Sequence, residues 1–63
     1  MKIAYRFRLV VFWRGGVLVA AYAIYREGKR IKIQKLYVDP NLTQEDKVWL
    51  MGLVEEEAER EEE

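Results

Sequence analysis

The amino-acid sequence predicts an α+β domain, a three-stranded antiparallel β-meander with one C-terminal helix packed on one face (β-β-β-α). Three observations lead there. Within the first half of the chain, residues 2–14 alternate with a period of two, in a run rich in aromatic and β-branched side chains. Two turn candidates, Gly15-Gly16 and Glu27-Gly28, cut that half into three runs. Beyond Asp39-Pro40-Asn41 the pattern changes to a capped, glutamate-rich helix.

The first strand spans residues 2–14, with Ile3, Tyr5, Phe7, Leu9, Val11 and Trp13 on one side. Lys2, Ala4, Arg6, Arg8, Val10, Phe12 and Arg14 lie on the other. Gly15-Gly16 tolerates the positive φ that a tight two-residue hairpin needs at both loop positions. The second strand runs from Val17 to Arg26, and after Glu27-Gly28 the third runs from about Lys29 to Val38. Asp39-Pro40-Asn41 ends it, because proline cannot continue a ladder and Asp and Asn favour turns. Thr43 caps the helix and Asp46, three residues on, makes a variant capping box. Gln44 and Glu45 suit the positive end of the helix dipole, and the helix reaches about Glu62.

With Gly15-Gly16 as loop, Trp13 faces Leu18, Val11 faces Ala20, Leu9 faces Tyr22 and Phe7 faces Ile24. With Glu27-Gly28 as the second loop, Ile31 and Ile33 lie beside Ile24 and Tyr22. This is the expected core face, covered by Trp49, Leu50, Leu53, Val54 and Ala58 of the helix. The other face should be solvated if one helix completes the fold. Instead it carries Val10, Phe12, Val17, Val19, Ala21, Leu36 and Val38, with Arg6, Arg8, Arg14, Tyr25, Arg30 and Lys32 around them. An apolar patch of this kind marks an interface, unless the first hairpin curls to cover part of it.

The helix carries the same pattern. VWLMGLV, residues 48–54, is apolar on every side, whereas packing on one sheet needs a stripe roughly 100° wide. Val48 and Met51 fall outside the core arc, with Gly52 between them. A glycine inside a helix costs about 0.8–1.0 kcal/mol relative to alanine, so Gly52 implies a close approach, either to another chain or to the sheet. The expected interface is therefore Val10, Phe12, Val17, Val19, Leu36, Val38, Val48, Met51 and Gly52. The edge of the first strand, Ile3 to Val11, joins it, being long and free of proline.

Composition narrows the chemistry. The chain has 63 residues, enough for one domain, and no Cys, His or Ser. Without them there is no disulfide framework, thiolate zinc site or imidazole general base, so we expect no enzyme, no cofactor and no metal site. Glu55 and Glu59, like Glu57 and Glu61, share a helix face, but an exposed acidic helix end without a cleft is a poor acid/base site. A chain this short buries only about 60% of its unfolded surface, so it needs very regular packing or association. The apolar run Leu9–Tyr25 is broken by Arg14 and two glycines, so we expect no membrane span. No signal-peptide cleavage pattern is evident either, and the expected location is cytoplasmic.

Net charge is zero but unevenly spread. Residues 1–38 carry nine basic side chains against one acidic, a net of +8, and residues 39–63 two basic against ten acidic, a net of −8. The basic sheet invites a nucleic-acid reading, with Arg6, Arg8, Arg14 and Lys32 on phosphates and Phe12 or Tyr25 stacking on bases. The acidic helix opposes it, because steering follows the summed field.

The two-residue GG and EG turns, the DPNLTQED helix start, the EEEAEREEE ending and the absence of Cys, His and Ser together resemble the idealised mini-proteins of computational design. That resemblance covers the whole chain and implies a designed assembly or binder, recombinant and soluble, because a designed monomer would carry a polar second face. In topology the chain is also similar to the β-β-β-α half of the ribonuclease-H-like fold, which occurs alone in small antitoxins. The catalytic carboxylates of that fold have no counterpart here, since the first strand holds no acidic residue and Val48 or Trp49 stands where the helix glutamate would be. The expected function is non-catalytic self-association into a symmetric homo-oligomer through the outer sheet face, first-strand edge and outer helix face. The alternatives are a binder of another protein through the same surface, or a small nucleic-acid-binding or antitoxin-like module.

Overall fold

The structure, a computed structural model, describes residues 7–61. It contains β1 (Phe7–Arg14), β2 (Val17–Glu27), β3 (Arg30–Val38) and α1 (Gln44–Glu61), with β2 central in an antiparallel meander of order β1-β2-β3. The predicted α+β class and element order are observed. The expected strand residues before Phe7, with Arg6 among them, and the helix end at Glu62 lie outside the described residues.

Both hairpins are set by glycine conformation. Gly15 and Gly16 have φ of 57° and 78°, the pattern of a type I′ turn, whose twist matches that of the flanking strands. The second loop is Gly28-Lys29 and not Glu27-Gly28. Gly28 has φ of 63°, Lys29 is not at positive φ, and Glu27 stays in the ladder opposite Arg30. A type II′ loop needs glycine at its first position, and this placement also sets opposite charges across the strands.

Two β-bulges then decide which residues face the helix. Phe12 pairs with Ala20 but Trp13 pairs with Leu18, which leaves Val19 without a partner on β1. Tyr22 pairs with Lys35 but Ala21 pairs with Tyr37, which leaves Leu36 extra on β3. One extra residue exchanges the faces of everything beyond it. From Phe7 to Arg14 the faces of β1 are therefore the reverse of those expected. Val10 and Phe12 join Ala20, Tyr22 and Ile24 on the helix side, and Phe7, Leu9, Val11 and Trp13 face away. The Val19 carbonyl, at the bulge, accepts a hydrogen bond from the Asp39 N–H (2.8 Å).

The core is Ala20, Tyr22 and Ile24 beneath Leu50, Val54 and Ala58, with Val10, Phe12, Ile31, Ile33, Val38, Leu42 and Met51 packed around it. Phe12 meets Tyr22 edge to face, ring centroids 6.4 Å apart at 81°. Four of the expected interface residues, Val10, Phe12, Val38 and Met51, are thus core-packed. In exchange Trp49, expected in the core, is exposed. The Leu50-Val54-Ala58 row is the centre of the buried stripe with Met51 and Leu53 half-buried beside it, and a stripe of that width leaves Trp49 on the flank.

The helix begins as expected. Asp39 Oδ1 accepts from the Asn41 N–H (2.9 Å) and the Asp39 carbonyl from the Leu42 N–H (3.2 Å), which turns the chain. Thr43 Oγ1 accepts from the Asp46 N–H (3.1 Å), and the Thr43 carbonyl receives the Lys47 N–H (3.1 Å) that opens α1.

Candidate interaction surface

Charge pairing across the two layers follows from the bulge. Arg8 and Arg14 now stand on the helix side of β1. Arg8 Nη2 lies 2.8 Å from Glu57 Oε2 and Nη1 lies 3.4 Å from Glu61 Oε1, while Arg14 Nη1 lies 3.5 Å from Asp46 Oδ2. From β2, Arg26 Nη2 donates to the Glu61 carbonyl at 2.9 Å. The Arg14 guanidinium, helped by the Thr43 hydroxyl and backbone, holds the Asp46 carboxyl below its ordinary range. Pairs this exposed are worth at most about 1 kcal/mol each, so their main effect is to fix where the arginines go.

The opposite face is correspondingly apolar. Along β1 it presents Phe7 (67% exposed), Leu9 (55%), Val11 (40%) and Trp13 (64%). Along β2 the small residues Ala21 and Ala23 form a trough beside that ridge, and Tyr37, Gln34 and Lys32 stand opposite on β3. Phe7, Ala23, Tyr25 and Gln34 line a shallow apolar depression at one end. Among the described residues, the charges on this face are Glu27, Arg30 and Lys32, grouped at the end away from the first hairpin. The arginines expected to surround the patch, Arg8 and Arg14, are not there.

The remaining predicted residues are scattered. Val17 is exposed at the hairpin tip opposite Arg14, and Leu36 is exposed at the β3 bulge. Val19 is buried at the other bulge, apart from the helix-side core cluster. Val48 and Gly52 are exposed on the outer side of α1, and a Cβ built on Gly52 would meet nothing within 4 Å. Among the described residues nothing calls for a glycine there, and a close approach to the sheet is absent. Sequence reasoning missed Phe7, Leu9, Val11, Trp13 and Trp49 as surface. A usable clue existed in the basic positions Arg8 and Arg14, which share a face and have ten carboxylates to meet in the second half of the chain.

Among the described residues, no three acidic side chains gather in a way that could hold a metal ion, and no helix is long and apolar enough to cross a membrane. Comparison with protein-family models, curated proteins and solved structures returned no match to this chain. Fold and surface define a small two-layer α+β domain with one sheet face covered by a helix and the other open.

Proposed function

We propose that this chain is a non-catalytic self-associating module that forms a symmetric homo-oligomer by packing its open sheet face against that of another copy. The observation that carries the reading is the row Phe7, Leu9, Val11 and Trp13, each at least 40% exposed, beside a trough floored by Ala21 and Ala23. A ridge beside a trough on one surface is self-complementary across a two-fold axis, as a closed symmetric interface requires. Two such sheets pack about 10 Å apart with interdigitating side chains, and each Å² of apolar surface removed from water contributes roughly 25 cal/mol. The nucleic-acid alternative loses support, because Arg8, Arg14 and Arg26 contact helix groups and Phe12 lies under the helix.

Light scattering coupled to size exclusion, over a dilution series, tests the reading. The parent should run as an oligomer, and Leu9→Glu or Val11→Glu should remain folded but run at a lower mass, with face-to-face packing lost. A parent that is monomeric at every concentration up to the solubility limit would refute self-association and favour another protein as the partner of this face.

A further inference from the structure

The two edges of the sheet are built differently. β3 carries Arg30, Lys32 and Lys35 and is interrupted by the Leu36 bulge, two devices that keep an edge from pairing with another strand. β1 has neither. Its eight residues hold no lysine, proline or glycine, and the extra residue of its bulge sits on β2. Its two arginines fold back onto the helix at 2.8 Å (Arg8) and 3.5 Å (Arg14), which withdraws their charge from the edge. From these contrasts we infer that β1 pairs antiparallel with β1 of a second copy, about a two-fold axis at Val10, to make a continuous six-stranded sheet. This inference rests on the self-association proposed above and adds a second interface to it.

The register follows from hydrogen bonding and charge. The two-residue loop is closed by Arg14 and Val17, so the Arg14 N–H turns toward β2, and along a regular strand the N–H groups of Trp13, Val11, Leu9 and Phe7 turn outward. An axis at Val10 pairs Leu9 of one copy with Val11 of the other and Phe7 of one with Trp13 of the other, all on the open face. On the helix side it sets Val10 beside its own copy and Arg8 beside Phe12. Among the described residues this pairs aromatic with aromatic and opposes no like charges. Moving the axis to Val11 would set Arg8 against Arg14, a repulsive pair.

The helix layer supports the same edge. Leu53 lines a groove along β1 together with Val10 and Phe12, and Trp49, 58% exposed, stands one helical turn away on the same flank. Phe7, Trp13 and Trp49, at ~150–250 Å² each and about six-tenths exposed, offer roughly 300–450 Å² to a neighbour beside β1. With Leu9, Val11, Leu53 and the strand backbone, that approaches the ~800 Å² per partner of a standard interface. Edge pairing doubles the length of the open apolar face, and face-to-face packing of two such sheets gives a four-copy assembly with dihedral symmetry.

The parent has no cysteine, so single-cysteine variants report the register directly. A pair that is not hydrogen-bonded across two antiparallel strands has Cα atoms ~4.5 Å apart, within disulfide reach. Val10→Cys should crosslink to its own copy under mild oxidation at least about tenfold faster than Leu9→Cys or Val11→Cys. In the unmodified oligomer, hydrogen exchange at the Leu9 and Val11 amides should be slowed by a factor on the order of 10² or more, where a free edge would exchange fast. Fastest crosslinking through Val11→Cys would overturn the register. An oligomer with fast Leu9 and Val11 amides and no Val10→Cys crosslink would overturn edge pairing while leaving face-to-face association standing. A parent that is monomeric throughout overturns both.

Discussion

Phe12→Ala compared with Val11→Ala tests the bulge on which the whole surface depends. Phe12 packs on the helix side with its ring edge-to-face on Tyr22, itself only 4% exposed, whereas Val11 stands 40% exposed on the open face. Removing a fully buried phenylalanine costs about 3–5 kcal/mol. Phe12 is half-buried, so we expect about 2–3 kcal/mol, of which ~0.5–1.5 is the aromatic contact with Tyr22. A chain of 63 residues has a total stability of roughly 3–9 kcal/mol, so the loss is a large part of it and should lower Tm by roughly 10–20 °C. Val11→Ala should cost less than about 1 kcal/mol in an isolated chain, because much of that side chain is already in water. The assay is urea unfolding of both variants in a Leu9→Glu background at equal, low protein concentration, which removes face-to-face packing from the comparison. With no bulge at Val19, the costs would be exchanged, since Val11 would lie under the helix and Phe12 in solvent. A Val11→Ala loss equal to or above that of Phe12→Ala would refute the observed register.

Two further outcomes follow from local geometry. Asp46 has a carboxyl pKa held down chiefly by Arg14, so its stabilisation is present above the ordinary carboxylate range and is lost as pH falls through the lowered value. The stability difference between parent and Asp46→Asn should therefore be constant above about pH 5 and shrink toward pH 2, and a difference independent of pH would refute the pairing. At the second hairpin, Gly28→Val should destabilise by more than about 1 kcal/mol in thermal unfolding, because a β-branched residue is strained at φ of 63°, whereas the same change at Lys29 should be mild.

Element identity was legible from local sequence because local chemistry sets it. Two glycines in succession give a type I′ turn wherever they stand between strands, a threonine three residues before an acidic one caps a helix, and β-branched residues at period two make strands. Each of these interactions closes within a few residues, and over the described residues the three strands and the helix follow in the expected order, with the second loop shifted by one residue. The candidate surface was legible only in kind. An apolar second face was expected and is present, but Val10 and Phe12 were expected on it and Phe7, Leu9 and Val11 occupy it. The cause is one extra residue, Val19, in a run VLVAAY that holds no glycine or proline to mark a bulge. Whether that residue is bulged depends on contacts far along the chain. Phe12 must seat on Tyr22 under α1, the Val19 carbonyl must reach Asp39, and Arg8 must meet Glu61, 53 positions away. Period two is a property of one strand, but which phase of it points inward is settled by the partner layer. That layer exists only once α1 has docked.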